Sequence, residues 1–362
     1  MKNRGKGSYF ASLALSVLLA FAIGAVILAV AGFNPAQAYA AMVDGAFSNV
    51  RHVGDFLEYA MVLCICGLAC VLGSRVGIFN VGGEGQLLLG AIAACQVGVV
   101  MNGQSRWLVL PCAALAAMAA GGFYALIPGV LKVKVKVNEV ITTIMLNTIA
   151  ASFCQFLAKG PWKNPNRNMV AATGQLDPRY WFTTLIPSSN LSTAILIAAV
   201  MAFLTWYIMQ KTAVGFEMKL TGQNPRFAFF SGIKTDKIVI LCMLISGAMC
   251  GLVGMFRVYG VEHLYRSSIS NQYYFEGLTV AMIARYDPVT VILLSFFFAV
   301  LKIGAQGMEL SAGVPNQIYL IIQTVIIFFM AAENGIFTSI QAGTQRKKAL
   351  AGLARKEEQS HG

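Results

Sequence analysis

Apolar residues in this chain come in long unbroken runs rather than in strict alternation. Runs suited to crossing a bilayer lie near residues 12–32, 57–74, 83–101, 107–130, 140–158, 190–209, 238–256, 288–305 and 317–333, with a shorter one near 273–285. A helix of about 20 apolar residues spans the hydrocarbon core, so the pattern predicts an all-α, polytopic membrane protein with ten crossings. One junction between runs is not explained by hydrophobicity. Residues 76 to 86 read Val-Gly-Ile-Phe-Asn-Val-Gly-Gly-Glu-Gly-Gln, a carboxylate and four glycines set between two spans. An ionised side chain at mid-bilayer depth costs on the order of 3 kcal/mol even on lenient insertion scales, so Glu84 must face protein, a water-filled cavity or the membrane surface. The glycines argue against one smooth helix, and irregular backbone at membrane depth persists only where protein buries it or it lines a cavity. A permeation pathway is expected beside this break.

A second segment echoes the first. Glu84-Gly-Gln-Leu-Leu-Leu-Gly-Ala-Ile-Ala and Glu276-Gly-Leu-Thr-Val-Ala-Met-Ile-Ala both set Glu-Gly ahead of a small-residue apolar run. Two inverted-related halves with broken helices at corresponding positions are one way that transporters build a central site. Coincidence is the alternative. In the ten-span assignment the first of these helices heads outward and the second inward.

Composition agrees with a membrane chain: 57% hydrophobic and 12% charged residues over 362 positions, with a mean hydropathy of +0.68, exclude a single soluble core. The net charge of +12 is spread over loops and tails and is not gathered into a nucleic-acid-binding face. Lys2, Arg4 and Lys6, then Lys132, Lys134 and Lys136, then Lys211, Lys219, Arg226, Lys234 and Lys237, and finally Arg346, Lys347, Lys348, Arg355 and Lys356 hold 16 of the 27 basic residues. The positive-inside rule puts all of them, and both termini, in the cytoplasm, with lipid headgroups as their neighbours. The loop 159–189, with Lys159, Lys163, Arg167 and Arg179, falls outside in this count against the charge rule, and is expected to be a folded external lid or docking loop. The expected organisation is a cytoplasmic segment 1–11, a permease domain 12–335 and a basic cytoplasmic tail 336–362. Residues 36–40, Ala-Gln-Ala-Tyr-Ala, look like a signal cleavage site, but the run from Ser12 to Ala31 suits a retained span better than a shorter signal-peptide core.

Catalytic chemistry has little footing. The eight cysteines all lie in apolar runs without a Cys-x-x-Cys pair, so buried thiols are expected rather than disulfides or a metal site. A Gly-x-x-x-x-Gly-Lys-Ser/Thr phosphate loop, a Gly-x-Ser-x-Gly elbow and a His-Glu-x-x-His pair are all missing from the sequence. If ATP drives this protein, another chain hydrolyses it.

Two further segments carry polar character. In Val137-Asn-Glu-Val-Ile-Thr-Thr-Ile-Met-Leu-Asn147, Thr143 and Asn147 follow Glu139 on one helical face, either lining a path or serving as cap and interhelical hydrogen bonds. Around 221–233, a turn at Gln223-Asn224-Pro225 opens a short helix showing Arg226 beside Phe227, Phe229 and Phe230. That mixture suits a partner groove, or else a helix lying in the lipid interface.

Taken in order, Gly-Ile-Phe-Asn-Val-Gly-Gly-Glu-Gly-Gln (77–86), Val-Asn-Glu-Val-Ile-Thr-Thr-Ile-Met-Leu-Asn (137–147), Gly-Phe-Glu-Met-Lys-Leu-Thr-Gly-Gln-Asn-Pro-Arg (215–226) and Ser-Gly-Ala-Met-Cys-Gly-Leu-Val-Gly (246–254) resemble the permease subunits of bacterial ABC importers. The branch is that of ribose, galactose and branched-chain amino acid permeases, nearest the nucleoside and simple-sugar members that work with a basic-membrane-protein-type binding lipoprotein. The resemblance runs from about residue 55 to 335. It implies a second permease subunit, identical or different, an ATPase that uses the ATP while this chain binds no cofactor, and an external solute-binding protein. It makes 221–233 the coupling segment, with Gly222, Gln223, Asn224, Pro225, Arg226, Phe227 and Gly232 as its contact residues. The sequence departs from relatives at Lys219-Leu-Thr221, where Arg-Ala-Val is frequent, and at Phe227-Ala-Phe-Phe230, where alanines are frequent; this bears on the match to a particular ATPase.

The expectation is an inner-membrane importer subunit, not itself an enzyme, that passes a nucleoside or simple sugar along a path formed or braced by Asn80, Glu84, Gln86, Glu139, Asn147 and Glu276. For Glu84, bracing is preferred, because adjacent glycines leave amide N–H groups to be accepted. The alternative is a proton-coupled secondary transporter using Glu84 or Glu276 as a relay, which leaves 221–233 unexplained.

Overall fold

The computed structural model describes residues 6–164, 171–315 and 317–330, with side chains from Ala14 onward. The expectations for Lys2, Arg4, Arg167 and the tail 336–362 lie outside the described residues.

Every apolar run becomes helix. The order is α1 (Lys6–Val30), α2 (Pro35–Phe47), α3 (Val50–Arg75), α4 (Gly83–Val100), α5 (Arg106–Val130), α6 (Glu139–Lys159), α7 (Ala194–Lys211), α8 (Ala213–Gln223), α9 (Pro225–Phe230), α10 (Thr235–Arg257), α11 (Tyr273–Ile283), α12 (Pro288–Ala312) and α13 (Gln317–Met330). Wide π-helical turns, Leu131–Val135 and Val258–Glu262, extend α5 and α10. Among the described residues, seven helices are long and apolar enough to cross a membrane: α3, α4, α5, α6, α7, α10 and α12. The bent pair α1–α2, folded by 118°, makes an eighth if taken as one span. The run expected to cross near 273–285 forms only the 11 residues of α11, about 16 Å of helix, which is too short to cross alone.

The chain divides into two compact units, residues 1–44 with 304–362, and residues 45–303. Within the first, the Tyr39 hydroxyl donates to the Phe21 carbonyl at 2.7 Å, and Met42 closes over Gly304. The second unit holds all the predicted site residues. Its centre is α3, whose apolar stretch is 89% buried, against 28%, 22% and 28% for α5, α6 and α7. Side chains on those three therefore face outward into lipid or another subunit. Small residues let α4, α5 and α10 approach closely, with Gly90 meeting Gly251 and Gly121 meeting the Gly247 carbonyl.

Contacts along these helices fix their directions. Glu58 meets Arg257 and Ala69 meets Ser246, so α10 runs antiparallel to α3. Gly90 meets Gly251 and Gly98 meets Tyr259, so α4 runs parallel to α10. The Tyr59 and Tyr273 rings touch, and Gly277 packs on Leu63, Cys66 and Gly67, so α11 runs parallel to α3. Thus α4 and α11 run in opposite directions, as inverted-related halves require.

The described part of the 159–193 connection is folded down onto the segment that follows α10. Thr173 N–H donates to the Tyr265 carbonyl, Leu176 N–H to His263 and Phe182 N–H to Tyr259, at 2.9–3.0 Å. The Trp181 indole stacks on the His263 ring at 3.6 Å, and Arg106 donates to the Trp181 carbonyl at 3.0 Å. On its outer edge the Arg179 guanidinium, bonded to Asp177 at 2.9 and 3.1 Å, holds that carboxyl below its usual range.

Candidate functional site: two broken helices meeting head to head

The first break begins where α3 is stopped. Ile78 N–H donates to the Gly73 carbonyl and Gly77 N–H to Ser74, at 3.0 and 3.1 Å, while Gly77 takes the left-handed conformation at φ +77°. This Schellman closure satisfies the last carbonyls of α3, and a glycine adopts it without steric cost. The chain then runs irregularly to Gly83, where α4 starts with unpaired amides of its own. Gly82 N–H is accepted by Asn80 Oδ1 at 3.0 Å and Gly85 N–H by Asn147 Oδ1 at 2.9 Å. Asn147 also donates to the Val81 carbonyl at 2.9 Å, so one amide from α6 holds both the break and the helix start. Asn80 donates to Gln86 Oε1 at 3.1 Å and to Ser246 Oγ at 3.0 Å, and the Ser246 hydroxyl donates to Ala69 O at 2.7 Å. Asn80, Gln86 and Ser246 are all buried.

The second break follows α10. His263 and Gln272, neither of them glycine, take left-handed conformations at φ +57° and +60° on either side of an irregular stretch that ends at α11. Glu84 reaches across from the first turn of α4: its carboxylate accepts the Ser270 hydroxyl and, at 3.2 Å, the Tyr274 N–H. In return the Tyr274 hydroxyl donates to the Asn80 carbonyl. Two helix N-termini therefore meet, and the carboxylate of Glu84 lies where both helix dipoles favour negative charge.

The hydrogen bonds of Glu84 go to the opposite break, not to the glycines beside it: Gly82 and Gly85 N–H go to Asn80 and Asn147, while Glu84 accepts from Ser270 and from Tyr274 N–H in the first turn of α11. Glu276, in the first turn of α11, accepts from the Tyr59 hydroxyl and pairs with Lys302 of α12 at 3.4 Å. Asn80, Glu84, Gln86, Asn147 and Glu276 thus converge on the two breaks. Glu139 stands one step away, paired with Lys132 at 2.7 Å beside the Phe79 amide, and its neighbour Asn138 caps α6 by accepting Val140 N–H at 2.9 Å.

Several charged groups in this region escaped the reading of the sequence. Arg257 is buried against Glu58 at 2.8 Å and Glu262 at 3.4 Å, with its guanidinium 4.9 Å from the centre of the Tyr273 ring; Arg266 also pairs with Glu262. Lys302, inside an apolar run, was itself a signal, since a charge there is costly unless paired. Glu58 and Arg257 sit at the edges of their runs, where averaging over a window hides them.

The coupling residues form a separate, exposed element. Asn224 interrupts the helix, and its Oδ1 accepts Phe227 N–H at 3.0 Å to start α9 at Pro225. Gly232 N–H donates to Phe229 O and Ile233 N–H to Ala228 O to close it. Ala228 is fully buried while Phe227, Phe229 and Phe230 are 57%, 66% and 85% exposed, an aromatic platform flanked by exposed Gln223 and Arg226. Gly222, in the last turn of α8, lies against Arg75 and Gly77 of the first break.

Residues 53–331, more than three quarters of the chain, match the protein family described as branched-chain amino acid transport system / permease component. The chain belongs to this permease family. It is thus a multi-pass membrane transport component rather than an enzyme, of a family that works with ATPase and binding-protein partners. A guanosine ABC transporter permease of Bacillus subtilis, NupP, is 33% identical over 89% of this chain and 93% of its own length. The nucleoside ABC transporter permease NupB of Lactococcus lactis is 29% identical over 88% and 90%, and the glucose ABC transporter permease TsgB13 of Haloferax volcanii is 32% identical over 87% and 85%. No solved structure matches the chain.

Proposed function

We propose that this permease is a subunit of an ATP-driven importer in the bacterial plasma membrane, with both termini cytoplasmic, that passes a nucleoside delivered by an external binding protein. The observation that carries the nucleoside reading is end-to-end similarity to a guanosine permease, 33% identical over 89% of this chain. The importer reading is supported by a feature that a lone channel has no use for, an exposed Arg–Phe platform on a separate short helix; the pair of broken helices meeting at their N-termini supports a pathway at that place. A separate ATPase chain binds and hydrolyses ATP and docks on Gln223, Asn224, Pro225, Arg226 and Phe227. A second permease, identical or different, covers an outward apolar face, and the lid over the second break receives the binding protein. Asn80, Glu84, Gln86, Asn147 and Glu276 hold the polar path in shape, with Glu139 at its edge.

The test is reconstitution of this chain with its ATPase and binding protein in lipid vesicles, followed by uptake of labelled guanosine. Uptake is expected to require ATP and to survive collapse of a proton gradient. Uptake driven by the gradient without an ATPase overturns the reading. Glu84→Gln keeps an accepting oxygen for Ser270 and Tyr274, so a bracing role predicts near-normal uptake, and loss of uptake assigns the charge itself a role.

A further inference from the structure

We propose that Gly222 is a positioning residue, the backbone joint through which the α8–α9 platform bears on the first break and hence on the start of α4. The inference rests on the importer reading above and deepens it.

The joint is a contact between main chains. A Cβ at Gly222 would stand 2.1 Å from the Arg75 carbonyl oxygen and 2.9 Å from its carbon, closer than side chains come to main chain, and a tight 3.1 Å from the Gly77 nitrogen. From the other side, a Cβ at Gly77 would stand 3.6 Å from the Gly222 Cα. Gly77 is the left-handed residue that stops α3, so the end of α8 presses on the very turn that separates α3 from the break. Near it in sequence, Arg75 Nε and Thr221 Oγ1 are buried without hydrogen-bond partners, and Thr221 is only 2% exposed. The close fit of main chains sets the spacing, and close-packed backbone transmits displacement because it does not compress.

Beyond the joint the connections are short and directional. Asn80 lies three residues past Gly77, is bonded to Gln86 in the first turns of α4 and to Ser246 on α10, and receives the Tyr274 hydroxyl from α11 on its carbonyl. Glu84 then ties α4 back to the start of α11. A push on the platform that moves the end of α8 therefore reaches both helix N-termini through five residues, Gly222, Gly77, Asn80, Tyr274 and Glu84.

The test measures guanosine moved per ATP hydrolysed by the full complex in vesicles. Gly222→Ala is expected to lower the guanosine moved per ATP hydrolysed, whatever its hydrolysis rate, by about fivefold or more, the lower end of typical site-to-site coupling. Gly77→Ala forces a left-handed alanine into the joint and is expected to lower the ratio to a smaller extent. Gly103→Ala carries similar strain, at φ +90° with open space around it, and is expected to leave the ratio unchanged. A merely structural role would lower the yield or melting temperature of the two joint variants and leave guanosine per ATP as in the wild type, which overturns the joint. If Gly222→Ala cannot be recovered, Gly77→Ala against Gly103→Ala decides in the same way. A wild-type chain that moves guanosine without the ATPase sinks the importer reading itself, a result separable from the others.

Discussion

The two breaks each precede a helix that carries a glutamate in its first turn, yet they are held by different chemistry. The break before α4 is fixed mainly by neutral groups: Asn80 bonds Gln86 and Ser246, Asn147 satisfies both a carbonyl and an amide, and the Glu139–Lys132 pair touches it at the Phe79 amide. The break before α11 is surrounded by charge, with Glu84 on its amide, Arg257 between Glu58 and Glu262, and Lys302 on Glu276. It also carries two non-glycine residues in left-handed conformations, each of which stores on the order of 1 kcal/mol of strain. Neutral amide clamps are short-ranged and lock one geometry, whereas ion pairs in a membrane are strong, long-ranged and costly to leave incomplete. The first break thus has the character of a fixed pivot and the second of a strained element held in place by charge.

The sharpest way to break that comparison is Arg257→Met. Glu58 would be left buried without its cation, and loss of one partner of a buried pair costs about 3–5 kcal/mol. Thermal unfolding of the purified chain in detergent should show a larger drop than either Asn147→Leu or Lys302→Met produces. Adding Glu58→Met to Arg257→Met should recover much of it, because an apolar pair restores consistency. A drop as large in the double variant as in the single one would mean that the packing of Arg257, rather than its charge, secures the second break.

On the pivot side, Asn147→Leu removes the acceptor for Gly85 N–H and the donor for Val81 O together. Each buried group left unpaired costs about 1–3 kcal/mol, so the loss should be smaller than for Arg257→Met but above about 1 kcal/mol by the same unfolding measurement. Gln at this position should do little better, since its extra methylene displaces both contacts. An effect of Asn147→Leu larger than that of Arg257→Met would reverse the assignment of pivot and charged element.

These contrasts mark how far the sequence could be read. Apolar run length predicted ten of the thirteen described helices, because hydrocarbon thickness acts on local composition; it missed the short α2 and α8, and overestimated α11 as a crossing. The glycines of 76–86 announced the first break and Asn224-Pro225 announced the start of α9, because turns and caps are local as well. Partnerships across the fold were not legible. Asn147 lies 62 residues from Gly85 and Tyr274 lies 190 from Glu84, and nothing in local pattern pairs them. The shared Glu-Gly did point to two related helix starts, but it concealed that Glu84 serves the far break while Glu276 turns to Lys302. The second break itself was invisible as a glycine pattern, since His263 and Gln272 adopt conformations that propensity assigns elsewhere.

Lys302→Met probes the weaker end of the charged set. Lys302 and Glu276 keep 18% and 22% side-chain exposure, so water screens part of the lost attraction, and the cost should be about 1 kcal/mol, nearer to an exposed pair than to a buried one. Glu276→Gln in the same chain should restore stability, since the amide oxygen still accepts from Tyr59. A cost equal to that of Arg257→Met would place this pair inside the dry core of the charged set rather than at its margin.

The smallest expected effect concerns pH at the lid. Burial under Trp181 holds the His263 imidazole below its ordinary value near 6.5, with Glu262 pulling the other way and less strongly. A base whose folded pKa is depressed binds fewer protons folded than unfolded, so its contribution to stability is complete above pH 6.5 and is lost as pH falls through and below that value. Hydrogen exchange of the Leu176 and Phe182 amides, which donate to His263 and Tyr259, should therefore quicken in the wild type between about pH 7 and 5 after correction for intrinsic rates. His263→Phe keeps a ring against Trp181 and removes the titrating group, so its protection should stay flat over the same range. If wild type and variant lose protection in parallel, His263 does not govern the pH response of these amides, and the strain at His263 is a matter of backbone shape alone.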